Sequence, residues 1–177
     1  MRRVVITSGP GAGKTTLLRE LSARGYATVE ESARSIIMER LARGLSPRPE
    51  PATFANEIFQ RDRQKYSNPP RHDGLVFYDR GAVEALAMIH EASPLADEDV
   101  RAMLVRYAFY GTVFILPPWQ AIYVNDAERD HSFSHAVAVY GQLVRWYTRC
   151  GYVINEVPCL SVAQRASHVL KPIPNDA

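Results

Sequence analysis

Residues 4–16 read VVITSGPGAGKTT, the most informative segment of the chain. Its first residues, Val4 to Thr7, have the apolar character of a short buried strand, and they run straight into a glycine-rich turn. The segment that follows, residues 14–24, repeats leucine at helical spacing and ends before Gly25. A glycine-rich turn between a strand and a helix is the context in which a phosphate-binding loop, or P-loop, is expected.

The residues of this turn have the chemistry that a triphosphate needs. Glycines let successive backbone N–H groups point at one anion, and the helix adds its positive N-terminal end. Lys14 is predicted to reach the β- and γ-phosphates of ATP, and the Thr15 hydroxyl to be a ligand of Mg²⁺. The usual pattern opens with glycine where this chain has Ser8, which predicts a slightly stiffer loop. The predicted nucleotide contacts are Ser8, Gly9, Pro10, Gly11, Ala12, Gly13, Lys14, Thr15 and Thr16.

Four further short apolar segments alternate with amphipathic helical segments along the 177 residues. This alternation predicts an α/β fold, a parallel sheet covered by helices on both faces. Thr53 and Asp97 are predicted to cap helices that extend to about Tyr66 and Phe109. We expect a single domain over residues 1–171 and a loose tail over residues 172–177.

Composition excludes several classes of protein. The formal net charge of +2 gives no strong overall attraction to nucleic acid or membranes, so no nucleic-acid partner is expected. No segment approaches the ~20 apolar residues of a membrane span. Cys150 and Cys159 form no paired motif, which fits a reducing cytoplasm. An oligomer is possible, and the sequence does not decide it.

The third predicted strand, residues 75–78, is followed by Asp79 and Arg80. In a P-loop fold a strand beside the first one brings such an Asp near the metal, so Asp79 is a predicted Mg²⁺ ligand. A guanidinium at position 80 can face a phosphoryl group with two parallel hydrogen bonds. An ordinary salt bridge at the end of a strand is the alternative for both residues.

Absent motifs narrow the class of P-loop protein. The chain lacks the Asn-Lys-x-Asp element of guanine-specific switches, which favours adenine. Arg80 follows Asp79 where AAA+ motors usually have a water-polarising Glu. The Asp-Arg pair resembles that of small-molecule P-loop kinases, such as thymidylate and deoxynucleoside kinases.

A closer resemblance spans nearly the whole chain. The motifs that carry it are the P-loop with Thr15-Thr16-Leu17, Gly25-Tyr26, Glu31-Ser32-Ala33-Arg34, Phe77-Tyr78-Asp79-Arg80-Gly81, Asp126–Arg129, Gly151-Tyr152-Val153-Ile154, and Ser161-Val162 with Arg165. In these motifs the chain resembles the AAA-type family that includes the ribosylnicotinamide kinase domain of NadR. The resemblance implies the strand order 2-3-1-4-5, nucleotide binding and phosphoryl transfer to a small molecule.

The resemblance also implies roles for residues outside the P-loop. Glu31 matches a carboxylate that accepts the proton of the attacking hydroxyl in nucleoside kinases, and a helix-capping Glu is the equal alternative. Arg34, one helical turn further on, could orient Glu31 or bind substrate together with Arg80. A charged segment over residues 118–131 is a predicted lid, in which Arg129 would neutralise the transferred group, and an ordinary solvated charged loop is the alternative. The adenine is expected beside Pro158–Ser161.

Three functions fit these observations. The first is an ATP-dependent kinase that acts on a small-molecule acceptor, with Lys14, Glu31, Arg80 and Arg129 as catalytic residues. The second is a regulatory nucleotide-binding ATPase without such an acceptor, and the third is an NTPase coupled to a partner. A deep second pocket lined by Glu31, Arg34 and Arg80 would favour the kinase, whereas a shallow surface there would favour the other two.

Overall fold

Strands and helices alternate in the computed structural model, which describes residues 1–123 and 132–173. The strands are β1 (Arg2–Ser8), β2 (Ala27–Val29), β3 (Leu75–Asp79), β4 (Thr112–Leu116) and β5 (Val153–Glu156). The helices are α1 (Lys14–Ala23), α2 (Ser32–Ala42), α3 (Pro51–Ser67), α4 (Ala82–Ala92), α5 (Asp97–Arg106), α6 (Phe133–Arg149) and α7 (Val162–Leu170). A short 3₁₀ turn occupies Gln120–Ile122.

The five strands form one parallel sheet in the order β2-β3-β1-β4-β5, which confirms the predicted fold class and strand order. β1 is the central strand, and its apolar run Val4, Val5 and Ile6 is fully buried. Helices cover both faces of this sheet, so the side chains on both faces of a central strand are excluded from water. Such a strand is therefore apolar along nearly its whole length.

Two hydrophobic clusters cover the two faces of the sheet. Val5 and Ile115 point into a cluster formed with α3, α4 and α6. Val4 and Ile6 point the other way, into a cluster formed with α1 and α7. Successive side chains of β1 point to opposite faces because a strand has a two-residue period. The helices pack against these two apolar faces.

The carboxyl ends of three neighbouring strands meet at one edge of the sheet. β1 leads into the glycine-rich loop, β2 leads to Glu31, and β3 ends at Asp79 and leads to Arg80. The register pairs Ile6 with Asp79 and Val29 with Tyr78, so these loops begin at similar heights. In open parallel sheets, ligands bind at this edge.

The start of α3 differs from its prediction. The capping residue is Glu50, whose carboxylate accepts a hydrogen bond from the Thr53 backbone N–H at 3.2 Å, so the prediction of Thr53 as the cap is wrong. Pro51 is the first residue of the helix, where the absent N–H would have no helical partner in any case.

Helix α5 also begins and ends at residues other than those predicted. Asp97 lies in its first turn, and Ala96 occupies the cap position. The helix ends at Arg106, three residues before the predicted Phe109. The reason is that the chain has already turned toward the sheet, since the backbone N–H of Tyr110 donates to the Arg3 carbonyl at 2.8 Å.

The packed part of the chain extends beyond Lys171, the predicted boundary of the tail. Ile173 is 3% exposed and packs in the cluster of α1 and α7. The remaining tail residues, 174–177, lie outside the described residues.

Candidate functional site

The glycine-rich loop has a backbone that other residues could not adopt without strain. Gly11 and Gly13 have φ angles of 76° and 80°, in the left-handed region that favours glycine. A Cβ at Gly11 would lie 2.4 Å from Cδ2 of Tyr123, and one at Gly13 would lie 2.9 Å from Nη1 of Arg165. The loop therefore curls at the N-terminus of α1 in the form predicted for a phosphate cradle.

Ser8 lies in β1 and not in the loop. Its backbone pairs in register with Leu116 of β4, and the residue is 1% exposed. Its carbonyl accepts a hydrogen bond from Nη2 of Arg80 at 2.9 Å. The departure from glycine is thus at a strand position, where serine needs no special backbone conformation, and the expected stiffening of the loop has no structural basis here.

Lys14 and Asp79 form a largely buried ion pair in which Nζ contacts Oδ1 of the carboxylate. Burial, together with the neighbouring Arg80, lowers the pKa of Lys14 to about 7. Contact with the Asp79 carboxylate favours the charged ammonium form. Thr15 and Thr16, in the first turn of α1, are exposed on the same edge of the sheet.

Arg80 is the one non-glycine residue in the described chain with a positive φ, 65°. This backbone conformation is uncommon for a residue with a Cβ, and it occurs most often at functional sites. Each nitrogen of the guanidinium contacts a protein oxygen: Nε is 3.1 Å from Glu31, Nη1 is 2.5 Å from Glu84 and Nη2 is 2.9 Å from the Ser8 carbonyl. Arg80 therefore connects the ends of β1 and β2 with α4.

Glu84 and Tyr147 complete this network, and neither was predicted. Glu84 is 6% exposed, and its second oxygen accepts a hydrogen bond from the Tyr147 hydroxyl at 3.0 Å. Burial disfavours a charged Arg80, but Glu84 and Glu31 outweigh burial and raise the pKa of its guanidinium. The i, i+4 spacing of Arg80 and Glu84 is a signal that could have identified Glu84. Tyr147 comes from α6 and has no such signal.

Glu31 occupies the N-cap position of α2, yet its side chain makes no capping hydrogen bond. Its carboxylate faces Arg80 instead. Burial opposes ionisation, but Arg80, Lys14 and Arg34 together lower the pKa of Glu31 below its usual value. The helix-capping use of Glu31, which the sequence left open, is therefore not what its side chain does.

Asp62 of α3 is a further carboxyl group near Glu31 that sequence analysis missed. It accepts a hydrogen bond from the Ser32 hydroxyl. Burial raises the pKa of Asp62 to about 6, although the Ser32 hydrogen bond and Lys65 act in the opposite direction. At neutral pH the group is mainly ionised and is held close to two other carboxylates, Glu31 and Glu84.

A cavity of about 630 Å³ opens beside these residues. Polar groups at one end include Glu31, Asp62, Arg80 and Glu84, and its apolar wall includes Leu143 and Trp146. Arg34 does not line it, in contrast to the expectation. The side chain nevertheless lies close enough for its charge to lower the pKa of Glu31.

Helix α7 contributes Arg165 to the other side of the P-loop. The guanidinium lies over the Trp119 ring, 5.5 Å from the ring centroid, and Nη1 is 3.4 Å from the Ala12 carbonyl. Its helix follows the segment Pro158–Ser161, beside which adenine is expected, and begins with a capping box between Ser161 and Gln164.

The predicted lid cannot be placed as a whole. Arg129, the predicted catalytic residue of the lid, lies outside the described residues, as do Asp126, Glu128 and Asp130.

No helix in the described part of the chain combines the length and the apolar character needed to cross a membrane.

Comparison with known proteins places this geometry in context. The model of a family described as AAA domain matches residues 3–165. A search of curated protein sequences gives no match. The structure of deoxyadenosine kinase from M. mycoides with products dCMP and a flexible dCDP bound is similar, with a TM-score of 0.65 at 12% identity over 97% of this chain and 98% of that chain.

Two other solved structures share the fold. NadR in complex with NR has a TM-score of 0.67 at 18% identity, over 99% of this chain and 53% of that chain. Thymidylate kinase from Ehrlichia chaffeensis has a TM-score of 0.57 at 14% identity, over 97% of each chain. The chain thus spans about half the length of NadR. These matches show the nucleotide-kinase fold of the P-loop proteins.

Proposed function

This chain belongs to the AAA-domain family, and we propose that it is an ATP-dependent phosphotransferase that acts on a hydroxyl group of a small molecule. The observation that carries the proposal is the position of Arg80. It contacts the Ser8 carbonyl at the entry to the P-loop and, through Nε, the Glu31 carboxylate of the second cavity. A nucleotide cradle and a cavity of about 630 Å³ thus share one guanidinium, as a transfer between two ligands requires.

The nucleotide side of the site uses the P-loop. The curled backbone around Gly11 and Gly13 offers N–H groups to the phosphates, and Lys14 exchanges its contact with Asp79 for one with the γ-phosphate. The base would lie beside Pro158–Ser161, just before α7, whose Arg165 packs over the Trp119 ring. Arg129 remains a predicted further cation for the transferred group.

The residues present fit Mg²⁺. The exposed Thr15 hydroxyl and the Asp79 carboxylate are hard oxygen donors at the same edge of the sheet, and they would hold the ion. The described residues contain no cluster of three or more His, Cys, Asp or Glu side chains suited to a metal. A site with few protein ligands is what Mg²⁺ uses when phosphates and water complete its shell. When bound, the ion would neutralise charge on the phosphates.

The acceptor side of the site centres on Glu31. The acceptor oxygen forms a bond to the γ-phosphorus while the bond from that phosphorus to the β-bridging oxygen breaks, and ADP leaves. Glu31 takes the hydroxyl proton. Each terminal nitrogen of Arg80 has one N–H besides the one engaged with Glu84 or Ser8, and these remain to neutralise the charge that develops on the phosphoryl group.

A screen of small metabolites for ADP release tests the proposal. Wild-type protein should release ADP above its acceptor-free background with at least one class of acceptor. Lys14→Ala should abolish this release and weaken ATP binding at least tenfold, ~1.4 kcal/mol. Lys171→Ala, at an exposed position, is the control and should behave as wild type.

Two results would argue against a kinase. Equal ATP affinity in wild type and Lys14→Ala would remove the P-loop assignment. ATP binding that depends on Lys14, with no acceptor found in a broad screen, would favour the regulatory ATPase. The cytoplasmic location and a possible oligomer remain proposals from the sequence.

A further inference from the structure

Arg165 of α7 is a buried cation to which the proposed transfer gives no role. The residue is 6% exposed, and burial lowers the pKa of its guanidinium below the usual value. Arginine is rarely buried to this extent unless a carboxylate or another strong acceptor compensates its charge. The position of Arg165 beside the P-loop makes the source of that compensation a matter of function.

The described residues give the guanidinium little compensation. None of their carboxylates forms an ion pair with Arg165, and its Nε has no hydrogen-bond partner. Nη1 contacts the Ala12 carbonyl at 3.4 Å, which is long for a hydrogen bond, and the Trp119 ring covers the group. Arg80, the other buried guanidinium of the site, contacts two carboxylates and a carbonyl instead.

The contact with Ala12 bears on the orientation of one peptide group of the P-loop. The Ala12 carbonyl and the Gly13 N–H belong to the same peptide group, which is trans, so the two point in opposite directions. With the carbonyl turned toward Arg165, the N–H of Gly13 points away from α7. Gly13 holds the N-cap position of α1, where backbone N–H groups have no partner within the helix.

A phosphate bound by this N–H completes the compensation of Arg165. When the Gly13 N–H donates to a phosphate oxygen, the peptide group is polarised, and its carbonyl becomes a stronger acceptor for the guanidinium. The opposite charges of the guanidinium and the phosphate also attract each other across the peptide. A neutral side chain at position 165 provides neither effect.

Resting on the proposed function, we propose that Arg165 is a positioning residue for the phosphates of the nucleotide. It orients the Ala12–Gly13 peptide so that the N–H faces the phosphates, and its own charge is compensated only when they bind. Trp119 holds the planar guanidinium by stacking against it. The uncompensated charge disfavours the empty protein, so Arg165 strengthens binding more than it strengthens the fold.

The experiment replaces Arg165 with methionine, a long side chain without charge. Calorimetry follows the binding of ADP and of tripolyphosphate, which carries phosphates without a base, and thermal unfolding follows the stability of the empty protein. Arg165→Met should weaken the binding of both ligands by roughly tenfold or more. Arg165→Lys, which keeps the charge, should recover part of that affinity.

Arg24→Met is the matched control, because Arg24 also connects α1 with α7. Its guanidinium contacts the Ser167 hydroxyl at 3.1 Å and the Ala163 carbonyl at 2.9 Å, and it forms an ion pair with Glu20. None of these contacts is with the P-loop, so Arg24→Met should bind both ligands like wild type. The empty Arg165→Met protein should be at least as stable as Arg24→Met, since it loses an uncompensated charge.

Several outcomes would overturn the inference. Wild-type affinity for ADP in Arg165→Met would do so, and so would an equal loss of affinity in Arg24→Met. Weaker ADP binding with no weakening of tripolyphosphate binding, or no tripolyphosphate binding by wild type, would assign Arg165 to the base instead. An empty Arg165→Met protein less stable than Arg24→Met would make Arg165 a structural residue. Failure of ADP to bind wild type, or ADP binding independent of Lys14, would instead count against the proposed function.

Discussion

At the end of β2, Glu31 holds the cap position of α2 while its carboxylate lies 3.1 Å from Nε of Arg80. Glu31→Gln keeps the shape of the side chain but removes its capacity to take a proton. Turnover with an identified acceptor should therefore fall roughly 10²–10⁴-fold. ADP affinity should change little, because the P-loop is left intact. Steady-state kinetics and an ADP titration of the purified variant measure the two effects.

The preceding residue provides the control for this prediction. Glu30 is exposed, and Lys65 contacts its backbone carbonyl and not its carboxylate. Glu30→Gln should keep wild-type turnover. If Glu31→Gln also turned over like wild type, the base would lie elsewhere. A loss of ADP binding or of folding in Glu31→Gln would make the residue structural.

The raised pKa of Asp62 predicts that the stability of the folded protein depends on pH. Burial raises its folded pKa to about 6 from 3.8, so the charged form is disfavoured in the folded protein. A raised folded pKa means that folding favours the protonated carboxyl over the carboxylate. The contribution of this group to the free energy of unfolding is fully present below the unfolded pKa, and it is lost as pH rises through the folded pKa. Asp62→Asn cannot ionise and can still accept the Ser32 hydrogen bond. It should raise the free energy of unfolding by about 3 kcal/mol at pH 7.5, since the difference of about 2.2 between the folded and unfolded pKa is converted at about 1.36 kcal/mol per pKa unit.

Chemical denaturation at two pH values checks this sign. The stability gain of Asp62→Asn should shrink toward zero near pH 4, where the wild-type carboxyl is protonated in the folded protein. Asp73→Asn, a loop change at an exposed position, should show no such trend. A variant that is less stable than wild type at pH 7.5 would show that the Asp62 carboxylate stabilises the fold.

The loop between β1 and α1 has little room for substitution at its glycines. Gly13→Ala would place a methyl group 2.9 Å from Nη1 of Arg165 at a φ of 80°. We expect at least tenfold weaker ADP binding, together with a stability loss of about 1 kcal/mol or more. Calorimetry and thermal unfolding measure the two.

Gly44 offers a matched control for the backbone. It has a φ of 68°, and a Cβ there would meet no atom within 4 Å. Gly44→Ala should lose a similar amount of stability while it keeps wild-type ADP affinity. If both variants lost affinity equally, the effect of Gly13→Ala would reflect general destabilisation and not the geometry of the cradle.

The elements that carry the site residues also show which of these residues could be placed from the sequence. Residues that directly follow strands, such as Asp79, Arg80 and Glu31, could be placed together because parallel strands end at one edge of the sheet. Asp62 and Tyr147 could not, because they come from α3 and α6, whose positions depend on packing over the sheet. Arg34 shows a limit of helical spacing, which put it one turn from Glu31 but did not determine whether its side chain lines the cavity.

For the molecule as a whole, the network around Arg80 ties five elements together. β1 contributes the Ser8 carbonyl, β2 leads to Glu31, β3 leads to Arg80, α4 contributes Glu84 and α6 contributes Tyr147. The nucleotide cradle could be predicted from a local pattern, the glycine-rich turn between a strand and a helix, whereas the strand order was implied by the family resemblance. The acceptor cavity depends on how α3, α4 and α6 pack against one another, which no local pattern encodes.

The central claim is that the phosphoryl group leaves ATP for a second small molecule. Phosphorus NMR of a reaction with ATP, Mg²⁺ and the acceptor found by the screen tests it most directly. We expect one new phosphate ester for each ADP formed, and neither product with Lys14→Ala. The formation of ADP with an equal amount of inorganic phosphate, and no phosphate ester, would contradict it.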